Sequence, residues 1–337
     1  MENVIKTYTD RDYEKLKEFV LSWDTSGLHD LSNLANHDFL RWFYSSSEYC
    51  KLTYYEENNK IKSILGCETV PFRLGGKETD ILLIKDFYAE KGYGIRLLEA
   101  VMQNNKHVGG LGISSKARQI YRLYGWKDVA PGLKEYRFFI GIRRNAVINL
   151  LFAFFSKIIT FMFGLLVFIE MKLRNVSLIE MNSFSEDDSS FVNRAVVSYE
   201  NTNLRYMNYL NWRFSAENKF IKYIITKVTH GSQNIGYFII GIQENKESAT
   251  ISDILLPEEY LNLSSLIIRK SIGICNQYKV KRVSMIASLP EIKHSLRMNL
   301  FKKIQFEDDF MMTNYDPLPF SESWHISTGF SDMDFYS

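Results

Sequence analysis

"DILLIKDFYAEKGYGIRLLEAV", Asp80 to Val101, joins an apolar burst, a polar stretch holding Gly92 and Gly94, and an amphipathic run. A short continuous apolar run, then glycines, then a helical period reads as buried strand, tight junction and helix. A second "DILL" opens "DILLPEEYLNLSSLIIRKSI", Asp253 to Ile272, where the helical run returns without the glycines. Self-similarity at a distance is the mark of an internal repeat. The two segments are therefore read as one strand-to-helix element occurring twice. Its junction is open at Gly92-Tyr93-Gly94 in the first copy and filled by the side chains of Leu263 to Leu266 in the second.

The flanks repeat in the same order. In the first half, "VIKTYT" reads as a strand and "DYEKLKEFVLSW" as a helix capped by Asp10. A helical stretch "HDFLRWFYS" follows, then the hairpin "CKLTYYEENNKIKSILGCETV" turning through Glu57-Asn58-Asn59. After the Gly92 junction come Ile95, Leu98 and Met102 at helical spacing, the strand "HVGGLGI", the helix "SKARQIYRLYG" and a last strand "KEYRFFIGI". In the second half "YLNWRFS", "KYIITKVTHGSQNIGYFIIGI", "ISDILLP", "VKRVSMIAS" and "PEIKHSLRMNLFKKIQF" answer these elements in turn. The expected organisation is a first domain over 1–142, a hydrophobic linker helix over 143–175 and a second domain with a C-terminal tail over 176–337.

Composition agrees with two globular domains: 337 residues, 46% apolar and 24% charged. A net charge of +2 gives no electrostatic argument for nucleic acid. Cys50, Cys67 and Cys275 are far apart, form no metal-ligand spacing and no disulfide framework, and fit a reducing compartment. The first residues, "MENVIKTYTDRDYEKLKEF", lack the apolar core of a secretory signal, so the cytoplasm is expected. One segment qualifies that expectation. "NAVINLLFAFFSKIITFMFGLLVFIEM", Asn145 to Met171, is long enough to span a bilayer and carries Lys157 as its only charge before Glu170. Three readings stay open: a helix buried between domains, an interfacial helix giving peripheral membrane contact over 145–171, and a true span.

A Gly-x-Gly at a strand-to-helix junction lets backbone approach a ligand, and the helix start offers unpaired N–H groups to a pyrophosphate. A tight turn is the competing reading of the same glycines. The wider pattern, Gly92, Gly94, then Ala117, Tyr121, Gly125 and Trp126 within "SSKARQIYRLYGW", resembles the GNAT (GCN5-related N-acetyltransferase) superfamily over residues 3–140. Two positions depart from the family pattern: Ala89 stands in the Gln/Arg place and Ser114 in the Asn place.

The resemblance implies an α+β fold of two tandem GNAT-like domains, each a mostly antiparallel sheet flanked by helices. It also implies an N-acetyltransferase using acetyl-CoA as co-substrate, with no metal. In such enzymes Leu83, Ile84 and Lys85 would pair with the pantetheine arm. Lys91, Gly92, Tyr93, Gly94, Ile95 and Arg96 would hold the pyrophosphate, with Ser114 close by. Tyr121 would protonate the leaving thiolate, unless it is an ordinary core aromatic.

Asp80 is a candidate general base, although Asp253 in the unarmed copy favours an architectural role for both. Glu68 is the other candidate, with a solvated strand carboxylate as the alternative; His107 reads as a surface residue. The second copy is expected not to bind CoA and to complete the acceptor pocket or pack the first. The acceptor is expected to be a small-molecule amine, with an amino sugar of surface-polysaccharide biosynthesis preferred on a bacterial family impression. A non-catalytic scaffold at a membrane-associated assembly is the second reading, and aminoacyl transfer from tRNA is disfavoured by the CoA loop. The tail with Trp324, His325, Asp332 and Asp334 is either disordered or folds back. The sequence leaves the oligomeric state open.

Overall fold

The computed structural model describes residues 4–24, 33–113, 115–129, 133–140, 146–215, 218–245, 247–304, 310–313 and 324–330. In chain order the first half gives β1 (Val4–Thr7), α1 (Tyr13–Asp24), α2 (His37–Leu40), β2 (Cys50–Glu57), β3 (Lys60–Leu74) and β4 (Lys77–Ala89). It continues with α3 (Gly94–Asn104), β5 (Val108–Leu111), α4 (Ser115–Leu123), β6 (Lys127–Asp128), β7 (Lys134–Phe139) and α5 (Ala146–Leu173). The second half gives β8 (Val176–Met181), α6 (Ser189–Val197), β9 (Asn201–Asn203), α7 (Met207–Arg213), β10 (Ile221–His230), β11 (Gln233–Gln243) and β12 (Ser248–Leu255). It closes with α8 (Ser264–Gln277), β13 (Arg282–Ala287), α9 (Pro290–Met298), β14 (Lys302–Lys303), β15 (Phe310–Met312) and β16 (Trp324–His325).

The α+β fold expected from the sequence is the fold observed, in two compact units. One holds residues 1–71, 79–131 and 309–317; the other holds 72–78, 132–308 and 318–337. The first sheet runs β1-β2-β3-β4-β5-β15-β6 and the second β8-β10-β11-β12-β13-β7-β14. Along these paths the described pairs are antiparallel except for one central parallel pair in each, β4 with β5 and β12 with β13; β9 and β16 add a second parallel pair beside the first path.

The strand "KEYRFFIGI", expected to finish the first copy, lies instead in the second sheet. There Lys134–Phe139 pair antiparallel with Ala287–Arg282 on one side and with Lys302–Lys303 on the other. The matching place in the first sheet is taken by Phe310–Met312, between β5 and β6. Each sheet thus takes its sixth strand from the other half of the sequence. A Cβ on Gly109 would come within 3.0 Å of Phe310 and 3.2 Å of Met312, so the bare β5 backbone is what admits this strand.

Local chemistry repeats even where sequence identity does not. Thr9 and Asp12 form a capping box (2.8 and 2.9 Å), and Ser185 and Asp188 form its counterpart (both contacts 2.9 Å), so the helical segments leading into α1 and α6 start the same way. The cap of the first is Thr9, one residue before the expected Asp10. The first hairpin turns through Asn58 and Asn59 at φ 51° and 61°, the left-handed geometry that a two-residue turn requires.

The paired "DILL" motifs are not equivalent. Asp80 lies two residues before the β4–β5 ladder opens at Leu82, and is exposed. Asp253 lies three residues beyond the last β12–β13 pair at Thr250, and is buried. The aspartate beyond the ladder in the first sheet is Asp86, two residues past Ile84, and it too is buried. An identical quartet sits at opposite ends of two like strands.

Asp253 anchors a network inside the second unit. Arg205 donates to its carboxylate from Nε (2.9 Å) and Nη2 (3.2 Å), and the Tyr237 hydroxyl donates a third bond at 2.8 Å. Arg205 also reaches Thr202 Oγ1, the Asn203 carbonyl and His325 Nδ1 (2.8, 2.8 and 2.9 Å). Since Arg205 can only donate, His325 accepts at Nδ1 and carries its proton on Nε2, 2.8 Å from the Ile254 carbonyl. The tail therefore folds back: Trp324 and His325 pair in parallel with Asn201 and Thr202. Asp332 and Asp334 lie outside the described residues.

Burial, reinforced by the Arg205 charge, lowers the His325 pKa from 6.5 to about 4. Burial pulls the Asp253 pKa upward, but the Arg205 charge and hydrogen bonds outweigh it and hold the group at about 2. Both values are depressed on folding, so both contributions are complete above the unfolded pKa and are lost as pH falls toward the folded one. The melting temperature is expected to decline as pH drops below about 6.5, where unfolded histidine takes a proton that His325 refuses. Between pH 7 and 5 the loss is on the order of 2 kcal/mol. Calorimetry should show this slope flattened in His325→Gln; an unchanged slope would refute the assignment.

Candidate functional site

The first unit contains the junction singled out in the sequence. β4 pairs with β5 through Leu82–Val108, Leu83–Gly109 and Ile84–Gly110, then runs on to Ala89 with no β5 partner among the described residues. Leu83 and Ile84, expected to offer free backbone, are within the ladder, which ends at Ile84. The Lys85 side chain is only 3% exposed although the residue is half-buried, which places its exposure on the backbone. A strand that runs past the end of a neighbour's ladder can offer backbone to an extended partner.

At the end of β4 the chain turns through Gly92 at φ +92°, where an added Cβ would meet nothing within 4 Å, into α3 at Gly94. The two glycines act differently. Gly92 supplies the positive φ and open space, whereas a Cβ on Gly94 would come within 2.8 Å of the Ala89 Cβ and 3.0 Å of the Phe87 ring. Gly94 is bare so that α3 can pack against β4, and this explains an alanine at position 89.

The first N–H groups of α3 have no acceptor within the helix and carry its positive dipole end. Around them Lys91, Ile95 and Arg96 are exposed. Arg96 Nη1 bonds the Tyr55 hydroxyl at 2.8 Å, and Tyr93 donates to Glu57 at 2.7 Å. Glu90 is held by Lys62 at 2.9 Å. These residues fit a pyrophosphate: free amides and two cations face outward, while the nearby carboxylates are engaged. Ser114 lies outside the described residues.

Tyr121 is buried among Cys67, Ile84 and Leu97, stacked on Trp126 at 4.3 Å. Burial raises its pKa well above the ordinary tyrosine value, so the phenol keeps its proton. Glu68 is not a solvated carboxylate: it is 1% exposed and paired with Lys85 at 2.8 Å. Asp80 is not brought to the site, being five residues, or about 16 Å of strand, before Lys85, the first residue past the β4–β5 ladder. His107 is half-buried just before β5.

Two residues were missed. Tyr44, buried just after α2, donates a short hydrogen bond to Asp86, two residues past the end of the β4–β5 ladder. A Cβ on Gly66 would fall 2.2 Å from the Tyr44 hydroxyl, so Gly66 exists to let that hydroxyl reach across the sheet. The available signal was the pair Lys85-Asp86 interrupting the apolar run from Ile81 to Tyr88.

The second unit's junction differs in backbone, not only in side chains. A 3-10 turn over Glu258–Leu263 runs straight into α8, and the Ser264 N–H donates to the Leu261 carbonyl. The start of the helix is already satisfied there. Leu263 and Leu266 point into the core rather than over the junction, correcting the expected obstruction. In front lies a cleft of about 720 Å³ lined by Glu258, Glu259 and Glu291, a charge that opposes a pyrophosphate. Arg269 also lines it, paired with Glu170 at 2.6 Å.

No protein-family model and no curated protein matches the sequence. Solved structures do match in fold. A tandem GNAT protein from the clavulanic acid biosynthesis pathway superposes with a TM-score of 0.57 at 9% identity, covering 94% of this chain and 100% of that one. N-myristoyltransferase from Saccharomyces cerevisiae with bound myristoyl-CoA gives 0.59 at 10% identity, covering 94% and 84%. A probable N-acyltransferase of unknown function from Enterococcus faecalis V583 gives 0.54 at 10% identity, covering 93% and 72%.

Proposed function

We propose that this chain, which has the tandem GNAT fold, is an acyl-CoA-dependent N-acyltransferase with one CoA site, in its first unit. The observation that carries the reading is the release of β4 from β5 after Ile84, leading directly into the Gly92–α3 junction. The part of β4 that runs past the end of the β5 ladder would lie along the pantetheine arm, and the α3 amides with Lys91 and Arg96 would hold the pyrophosphate. Acetyl-CoA is the proposed donor and a small-molecule amine, an amino sugar among them, the proposed acceptor.

In the reaction the amine nitrogen attacks the thioester carbon, the C–N bond forms, the C–S bond breaks and CoA leaves as thiolate. Tyr121, holding its proton, donates a hydrogen bond to the sulfur as charge develops there. Asp86, oriented by the Tyr44 hydroxyl, is the group we assign to take the ammonium proton. The Glu68–Lys85 ion pair fixes the strand around it.

Acetyl-CoA is expected to raise the melting temperature, by an amount corresponding to about 2.7 kcal/mol at a hundredfold excess over Kd. Ile95→Asp puts a carboxylate at the exposed first turn of α3, where it favours the helix but repels a pyrophosphate. That variant should stay folded and lose the acetyl-CoA shift. A wild type that shows no shift would refute the CoA site.

A further inference from the structure

The second unit carries an apolar surface that neither the fold nor the proposed reaction uses. Helix α5 spans 28 residues, about 42 Å. Ile159, Phe163, Val167 and Met171 form its inner stripe, three of them packed on the second unit's core, and Glu170 turns inward to Arg269. Apart from Lys157, Thr160 and Lys172, the rest of its described surface is apolar and mostly exposed. Of nineteen large apolar side chains exposed among the described residues, eight lie on this one helix: Ile158, Phe161, Met162, Leu165, Leu166, Phe168, Ile169 and Leu173. Phe161 is 73% and Leu173 80% exposed. Such a concentration on one continuous face marks an interaction surface.

Charge identifies what it meets. Lys157, Lys172 and Arg174 are exposed along this stretch, and the one carboxylate of the helix is withdrawn into an ion pair. Lys172 Nζ stands 4.5 Å from the centre of the Phe168 ring, a cation set beside exposed aromatic and leucine side chains. Long apolar side chains bordered by lysine and arginine suit the headgroup boundary of an anionic bilayer. Among the described residues no helix is long and apolar enough to cross a membrane. The inner stripe's packing on its own unit likewise leaves only one side of α5 for lipid.

We propose that the outer face of α5 lies in the interface of an anionic lipid bilayer, holding the enzyme at a membrane surface. The full chain is expected to cosediment with vesicles of phosphatidylcholine containing phosphatidylglycerol, and to be released by salt. The triple variant Phe161→Glu, Phe168→Glu, Leu173→Glu should lose cosedimentation while keeping its melting temperature and acetyl-CoA shift. Lys172→Gln with Arg174→Gln should weaken partitioning by an order of magnitude or more, each cation near the surface being worth about fivefold. Failure to cosediment would overturn the proposal. So would equal binding to pure phosphatidylcholine, or a stable dimer that the triple variant converts to monomer, which would assign the face to a second copy.

Discussion

Asp253→Ala is expected to destabilise the protein by about 3–5 kcal/mol, because it leaves the Arg205 guanidinium buried without its counter-charge. Arg205 is fully buried, and three of its acceptors besides Asp253 are neutral. Folded domains hold only about 5–15 kcal/mol in reserve, so this single change brings the protein close to unfolding. Urea denaturation should show the midpoint fall with little change in slope. Removing both partners separates the cost of an orphaned charge from the worth of the pair. Arg205→Met with Asp253→Leu should recover most of the loss. If the double variant is no more stable than Asp253→Ala, the charge pairing is not what holds this region.

The second large effect concerns chemistry. Asp86→Asn is expected to lower kcat by about 10²–10⁴-fold, the usual worth of a positioned acid or base. Its acetyl-CoA melting shift should remain, since the Asp86 side chain lies on β4 and not at the Gly92–α3 junction. Asp80→Asn, exposed at the far end of β4, should leave kcat unchanged. With an amine acceptor in hand, the pH–rate profile decides between a catalytic and a merely structural Asp86. Loss of the limb on the acid side in Asp86→Asn supports the proton-accepting role. An intact profile with a uniformly lower rate assigns Asp86 to positioning alone.

Much of the fold was legible along the chain because its signals are local. The hairpin was readable from Asn58-Asn59 between β-forming runs, and both show the left-handed φ that such a turn needs. The Gly92 junction was legible because only a positive φ or a close approach demands glycine between a buried strand and a helix. The order of elements repeated clearly enough to give the duplication.

The matched "DILL" quartets misled for a physical reason. A strand's composition states that it is buried, not where along a neighbour its pairing begins. Asp80 therefore seemed the counterpart of Asp253, while the buried aspartate of the first sheet is Asp86.

By itself the sequence determined two copies of one fold, with the glycine-bearing junction in the first. Tertiary structure alone decided the rest. It exchanged the sixth strands, because a β-strand's backbone groups are satisfied by any edge and the chain's own copy holds no privilege. It ended the β4–β5 ladder at Ile84, turned Glu68 inward onto Lys85, and drew His325 onto Arg205 across 120 positions of sequence. Each depends on which long-range partner reaches a polar group first excluded from water, and no local pattern of residues encodes that partner.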